Sequence, residues 1–143
     1  MDANYAIVVS KFNSEITSKL SEGAVNRLKE SNVPDQNITV VHVPGAIEIP
    51  LVAQRLAQQN KYSAIIALGC VIQGDTDHYI YVCDQISQGC QRVMLDNNIP
   101  VIFGVLMTQD ESQAEERIGG IHGHKGVDAA NAALEIVETL SKL

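Results

Sequence analysis

The chain has 143 residues, a mass of 15.5 kDa and a hydrophobic fraction of 45%, which are the size and composition of one globular domain. Its net charge of −7 opposes the dense basic surface that binding to a phosphate backbone needs, so we expect no nucleic-acid partner. Apolar runs fall short of the roughly 20 residues of a membrane span, and the N-terminal residues do not resemble a secretion signal. These features predict a single domain over residues 1–143, no membrane association and a cytoplasmic location.

Short apolar runs alternate with segments of helical periodicity along the chain. The runs predict four strands, at Tyr5–Val9, Asn37–Val43, Tyr62–Leu68 and Ile99–Leu106. Helices are predicted over residues 12–30, 45–59 and Asp110–Arg117. Apolar residues from Tyr79 to Met94 predict one face of a further, long helix. After a glycine-rich turn, a closing helix is predicted with its inner face formed by Val127, Ala130, Leu134, Val137 and Leu140.

Alternation of strands and helices predicts an α/β domain with a four-stranded parallel sheet that is covered by helices on both faces. In open parallel sheets, ligands bind beyond the carboxyl ends of the strands. We therefore expect four loops to meet at that edge, at residues 10–14, 43–48, 69–78 and 103–108.

His78 lies at one of these loops, where the third strand turns into the long helix. A helix N-terminus with glycine and threonine nearby suits a phosphate or carboxylate, and an imidazole suits proton transfer near neutral pH. A first-turn histidine with no function is the alternative. Asp75 and Asp77 would repel a phosphate, so we expect them to cap the helix with their side chains turned away. Arg117 is then the nearest compensating cation, unless it is a solvated arginine at a helix end.

Three further residues at this edge suit a ligand. Glu48 is either a first-turn carboxylate facing the helix dipole or an acceptor for a polyol or a ring N–H group. Phe12 and Phe103 are the only phenylalanines, and both are placed at strand ends. Core packing is the ordinary role of such a ring, whereas an exposed ring at this edge would stack on a flat heterocycle.

The three cysteines and the histidines of the last loop give only weak evidence for a functional site. Cys70, Cys83 and Cys90 are expected to be buried free thiols rather than metal ligands or a redox pair. His122 and His124 have no third ligand near them, so no metal site is predicted. The glycine-rich signatures of dinucleotide and nucleoside-triphosphate binding do not occur, and no cofactor is predicted.

Six segments, taken in order, resemble the 6,7-dimethyl-8-ribityllumazine synthase family. They are KFNSEITSKL, VPGAIEIP, LGCVIQGDTDHYIYV, IPVIFGVL, ERIGG and GHKGVDAA, and they extend from Lys11 to Ala130. Their order and spacing are those of the family, so the resemblance covers most of the chain. It implies a three-layer, flavodoxin-like fold.

The resemblance also implies roles for individual residues. His78 matches the catalytic histidine, and Phe12 matches the aromatic residue that stacks on the substrate pyrimidine. The full set implied to bind ribitylaminouracil is Phe12, Ala46, Ile47, Glu48, Cys70, Val71, Ile72 and Phe103. Asp75, Thr76 and Arg117 match the phosphate-binding residues. Lys125 matches a lysine of the last loop and is a further candidate site residue.

By resemblance, the chain is a transferase of riboflavin biosynthesis. It would condense 5-amino-6-(D-ribitylamino)uracil with 3,4-dihydroxy-2-butanone 4-phosphate, through an imine, loss of phosphate and ring closure. The alternative is a non-catalytic carrier of flavin or lumazine on the same scaffold, which would not need His78 together with Arg117. A flavodoxin-like signalling domain is a second alternative, but it would need an acidic cluster at the end of the first strand, and the sequence has none there.

The resemblance further implies a homopentamer in which Phe103 and Arg117 reach the neighbour's Phe12, Glu48 and His78. The small residues of the closing helix allow close packing between subunits, although burial within one subunit explains them almost as well. Pentamer, decamer and a 60-subunit shell of twelve pentamers stay open, because the compact last loop favours the shell and the short N-terminal segment opposes it.

The chain departs from the family pattern beside the implied phosphate loop and also in the last loop. Gln73 stands where a basic residue is usual, which removes one positive charge beside the phosphate loop. His124 stands before Lys125 where the family often has asparagine.

Overall fold

The four apolar runs form one parallel sheet in the computed structural model, which describes residues 2–143. In chain order the elements are β1 (Tyr5–Ser10), α1 (Ser14–Glu30), β2 (Ile38–Val43), α2 (Ile49–Ala57), β3 (Ala64–Ile72), α3 (His78–Asn97), β4 (Val101–Thr108), α4 (Glu111–Glu115), β5 (Ile118–Gly120), β6 (Gly123–His124) and α5 (Lys125–Ser141). The order in the sheet is β2-β1-β3-β4, and all pairs are parallel. The predicted α/β fold with a four-stranded parallel sheet is confirmed.

The two faces of the sheet bury separate apolar clusters. On one face, Ile7 and Ile66 pack with residues of α1 and α5, including Leu20 and Ala130. On the other face, the neighbouring strand residues pack with α2 and α3. Successive side chains of a strand point to opposite faces, so a strand covered on both sides is apolar throughout. The result is the predicted three-layer, flavodoxin-like arrangement.

The strands do not end at the same level. β1 pairs with β3 as far as Val9 and Leu68, whereas β3 continues to pair with β4 as far as Ile72 and Thr108. The segment Gly69–Ile72 therefore has a strand neighbour on one side only. This stagger opens one edge of β3 at the carboxyl end of the sheet.

Several predicted boundaries and faces differ from the structure. The second helix begins at Ile49, after a 3-10 turn at Ala46–Glu48, and not at Gly45. The glycine-rich turn before α5 contains a small hairpin, β5 with β6. The prediction that Leu140 lies on the inner face of α5 is wrong, because its side chain is exposed near the C-terminal end of the helix.

All three cysteines are free thiols. Burial raises the pKa of Cys90 to about 11, and burial followed by the Glu111 carboxylate raises the pKa of Cys70 to about 11. The prediction that all three are buried is wrong for Cys83, which is half-exposed on α3. The pKa of Cys83 is also raised, because the effect of burial exceeds the opposing effect of a hydrogen bond with Tyr79.

In the part of the chain that the structure describes, no helix has the length and apolar character needed to cross a membrane.

Gly104 of β4 should be sensitive to the smallest enlargement. A Cβ atom there would lie 2.6 Å from Leu68 Cδ2 and 2.9 Å from the Ala67 carbonyl oxygen. We expect Gly104→Ala to lower the free energy of unfolding by about 1–3 kcal/mol, because overpacking a filled core forces side chains and backbone to shift. Urea unfolding at one fixed protein concentration measures the change.

Gly74→Ala is the matched control, because a Cβ atom at Gly74 would meet nothing within 4 Å. It should leave stability unchanged or raise it slightly by restricting the unfolded chain. Equal stability of the two variants would contradict the packing described for β4.

The thiols should differ in reactivity, because the thiolate is the reactive form and a raised pKa lowers its fraction. At about pH 8 in the native protein, we expect a thiol-reactive disulfide to label Cys83 first. Cys70 and Cys90 are each 2% exposed and should react only after unfolding. Cys83→Ser should remove the native reaction and Cys90→Ser should keep it. Native labelling of Cys90 at the rate of Cys83 would be inconsistent with this core.

Candidate functional site

The order of the strands creates a crevice between β1 and β3. The chain leaves β1 toward β2 on one side of the sheet, while β3 and β4 lie on the other side. The loops that follow β1 and β3 therefore diverge, and such a switch point is where open α/β sheets bind ligands. A cleft of about 430 Å³ lies there, and we call it the switch-point cleft. Its lining residues are Phe12, Asn13, Gly45, Ala46, Ile47, Cys70, Val71, Ile72, Gly74, Thr76, His78, Tyr79 and Val82.

Phe12 stands at the mouth of the cleft on a backbone that is held in place. The N–H groups of Lys11 and Phe12 donate to the carbonyl oxygens of Val43 and Pro44, at 2.8 and 3.0 Å. The segment after β1 thus stays bonded to the end of β2, while the Phe12 ring is 71% exposed. An exposed ring on a fixed backbone can offer a flat apolar surface to an aromatic ligand.

The open edge of β3 forms the floor of the cleft. Asn13 lies in the left-handed backbone region, with φ of 62°, and its Nδ2 donates to the Cys70 carbonyl oxygen at 2.9 Å. The Gln73 N–H donates to Thr108 on the β4 side. Because backbone groups of successive strand residues point to alternate sides, those of Ile72 are directed away from β4, toward the cleft. This edge can hydrogen-bond a planar polar group.

His78 is the first residue of α3 and reaches the cleft from an exposed position. Its N–H donates to Thr76 Oγ1 at 3.3 Å. The prediction that Asp75 and Asp77 cap the helix is wrong, because Asp77 occupies the N-cap position without a side-chain bond and Asp75 does not cap the start of α3 either. Asp75 is exposed in the loop, outside the residues that line the cleft. The positive end of a 20-residue helix thus lies beside the imidazole.

Glu48 fixes the backbone of the loop that precedes α2. Its Oε1 accepts from the Gly45 N–H at 2.8 Å. This bond closes the 3-10 turn that brings Ala46 and Ile47 to the cleft. The carboxylate itself is half-buried and does not line the cleft.

Arg117 and Lys125 lie in a second place, a cavity of about 360 Å³ beside the end of β4, which we call the β4 cavity. Arg117 Nη1 donates to the Gln113 carbonyl oxygen at 2.7 Å and lies 3.9 Å from Glu116 Oε2. Two cationic side chains and the Asp128 carboxylate therefore share this cavity. Its full lining is Val105, Leu106, Met107, Thr108, Gln113, Arg117, His122, Lys125 and Asp128.

Phe103 belongs to neither place within one subunit. It is the third residue of β4, it pairs with Ala67, and its half-buried ring packs on the cluster beneath α2 and α3. The prediction that Phe103 lies at a strand end is wrong, because β4 continues to Thr108. The predicted site residues thus divide between the switch-point cleft, the β4 cavity, the sheet (Phe103) and the loops beside the cleft (Glu48 and Asp75).

Some residues of the two cavities were not predicted as site residues. Tyr79 and Val82 line the switch-point cleft from the first turns of α3, although their spacing marked them only as core. Asn13 occupies the N-cap position of α1 without a capping side-chain bond. Only the tertiary structure shows that its amide contacts β3.

His122 and His124 are held by other contacts. His122 Nε2 lies 3.6 Å from Glu116 Oε2, and His124 Nδ1 accepts backbone N–H groups at the start of α5. Within residues 2–143, there is no cluster of three or more histidine, cysteine or carboxylate side chains suited to a metal ion.

Comparison with known proteins gives the same family along the whole fold. The family model described as 6,7-dimethyl-8-ribityllumazine synthase matches residues 2–141. A protein of that name from Coxiella burnetii strain Dugway 5J108-111 is 51% identical over 138 residues, which are 96% of this chain and 91% of the relative. Its counterpart from Coxiella burnetii strain RSA 493 is 50% identical over the same shares of both chains. Half of the residues are therefore shared along the entire length that carries the two cavities, and the chain belongs to the 6,7-dimethyl-8-ribityllumazine synthase family.

Proposed function

We propose that this chain forms 6,7-dimethyl-8-ribityllumazine from 5-amino-6-(D-ribitylamino)uracil and 3,4-dihydroxy-2-butanone 4-phosphate, as a transferase of riboflavin biosynthesis. Its membership of the family and its identity to relatives with the synthase name support this activity. The predicted fold, a single domain of residues 1–143, is the scaffold on which the site is built.

One observation carries the proposal beyond the family name. A single cleft at the switch point brings together an exposed aromatic ring, an open strand edge and an imidazole, from Phe12, Ile72 and His78. A flat heterocycle with polar edges needs the first two, and a reaction made of proton transfers needs the third.

Each group in the cleft then has a task. Phe12 stacks on the pyrimidine, while the backbone of Cys70–Ile72 binds its polar edge and the loop at Ala46–Glu48 holds the ribityl chain. His78 moves protons as the amine attacks the ketone, as the imine forms and as phosphate leaves. Asp75 and Thr76 belong to the loop that receives the phosphate. Most of the acceleration comes from holding two substrates together, which converts a bimolecular reaction into an intramolecular one.

The phosphate needs cations that the switch-point cleft lacks. Its lining residues include no lysine or arginine, whereas Arg117 and Lys125 line the β4 cavity of the same chain. We therefore place the complete site between two subunits, with Phe103, Arg117 and Lys125 of one chain facing the cleft of the next. A homopentamer in the cytoplasm is the minimum active unit of this proposal, and larger shells of pentamers are compatible with it.

The alternative function is a non-catalytic carrier. It accounts for the groups that would bind a flat heterocycle but not for those that would transfer protons and bind phosphate. A carrier would use Phe12 and the open edge of β3. It would have no use for an imidazole at the N-terminus of α3 or for the cationic pair, Arg117 and Lys125, in the β4 cavity. The synthase names of the relatives also favour the enzyme.

Mixing the purified protein with both substrates tests the function directly, because the lumazine product absorbs light that neither substrate absorbs. We expect product well above the uncatalysed rate. His78→Ala should lower kcat by about 10²–10⁴-fold and keep a measurable remainder, since general acid–base catalysis is one part of the acceleration.

Ile80→Ala is the matched control, on the same turn of α3 but outside the lining of the cleft. It should keep kcat near the wild-type value. Product at only the background rate in the wild type would support the carrier. An unchanged rate in His78→Ala would remove this residue from the mechanism.

A further inference from the structure

His124 occupies a position where a helix is usually capped by serine, threonine, aspartate or asparagine. It is the last residue of β6 and the N-cap of α5. Its Nδ1 accepts from the N–H groups of Gly126 and Val127, at 3.1 and 3.3 Å. A ring nitrogen can accept only when it carries no proton. The cap therefore requires an imidazole whose Nδ1 is unprotonated.

Glycines leave the space that this ring fills. A Cβ atom on Gly23, in the middle of α1, would overlap the His124 ring, and one on Gly126 would lie 3.0 Å from its Cε1. A Cβ atom on Gly119 of β5 would lie 3.8 Å from His124 Cδ2, at ordinary van der Waals distance. The ring therefore lies between α1, β5 and the first turn of α5, and α1 is distant in sequence from the other two elements.

His124 also lies in the hairpin that connects the backbones of Arg117 and Lys125. His124 pairs with Ile118 in the hairpin, and the Lys125 N–H donates to the Arg117 carbonyl oxygen at 2.8 Å. Arg117 and Lys125 thus flank the hairpin and are joined directly to each other. Both line the β4 cavity, whereas His124 does not. A shift of the ring would move both cations together.

We propose that His124 is a positioning residue for the anion site of the β4 cavity, acting through the hairpin that joins Arg117 to Lys125. The inference rests on the proposed function, in which these two side chains hold the phosphate of the second substrate. It assigns to His124 a role in binding a phosphate group and none in binding the uracil, because the switch-point cleft is built from other loops.

The first test separates the two substrates. In His124→Ala the cap and the packing of the ring are both lost, and we expect the KM for the phosphate ketone to rise about 10-fold, since small displacements of binding groups are costly. The KM for ribitylaminouracil should stay within about 2-fold of wild type, because its binding groups are untouched. His124→Asn should restore the affinity for the ketone, since its Oδ1 can cap the helix.

A second variant reaches the same contact from the other side. Gly23→Ala leaves His124 in the chain but expels its ring, so it should raise the same KM, and combining it with His124→Ala should add little. Asn131→Ala is the matched control. It removes the 2.7 Å bond from Arg27 Nε to Asn131 Oδ1, which joins α1 to α5 away from the hairpin, and should leave both KM values unchanged.

Titration calorimetry with inorganic phosphate decides the inference independently of turnover. Wild type and His124→Asn should bind phosphate, and His124→Ala should bind it about 10-fold more weakly.

If wild type binds phosphate in this way but forms no lumazine, the proposed function fails and the role of His124 stands. Equal phosphate affinity in folded His124→Ala and wild type would overturn the inference, as would wild type that binds no phosphate. An equal rise in both KM values, or His124→Asn as impaired as His124→Ala, would also overturn it. If His124→Ala does not fold, Gly23→Ala carries the same comparison.

Discussion

The stagger between β1 and β3 is the constraint on which the site depends. Pairing of β1 ends at Leu68, whereas β3 continues beside β4 to Ile72, so one edge of β3 has no strand neighbour. An unpaired edge must bond to something. Asn13 satisfies the Cys70 carbonyl from the turn that also presents Phe12, and the backbone of Ile72 is left for a ligand. The same feature of the sheet thus sets the floor of the cleft and the position of its aromatic wall.

The chain carries the complementary parts of a site on separate surfaces. The switch-point cleft supplies an aromatic ring, a backbone edge and an imidazole, and the β4 cavity supplies two cationic side chains that flank a hairpin. Neither suffices for a reaction between a heterocycle and a phosphate ester. In an acidic chain of net charge −7, Arg117 and Lys125 outnumber the Asp128 carboxylate in this cavity, so the local charge favours an anion despite the overall charge. Under the proposed function, association between subunits is then a requirement of the chemistry.

Local patterns predicted most of the fold, and long-range contacts account for what they missed. Continuous β-branched runs predict strands buried on both faces, and the turn before α3 predicts His78 at the ligand-binding edge. The hairpin from Ile118 to His124 was not predicted, because its strands are too short to show any alternation. The bond from Glu48 to Gly45 and the cap formed by His124 were missed as well, since the first depends on loop geometry and the second uses a residue type rarely found at caps.

The central claim is that one active site combines the cleft of one subunit with the β4 cavity of another. Co-producing His78→Ala and Arg117→Ala chains in equal amounts tests it, with the rate of lumazine formation as the measurement. In randomly mixed rings about a quarter of the interfaces would carry both intact groups, so the account predicts recovery to about a quarter of wild-type activity. Activity equal to the mean of the two separately produced variants, in assemblies shown to be mixed, would contradict it.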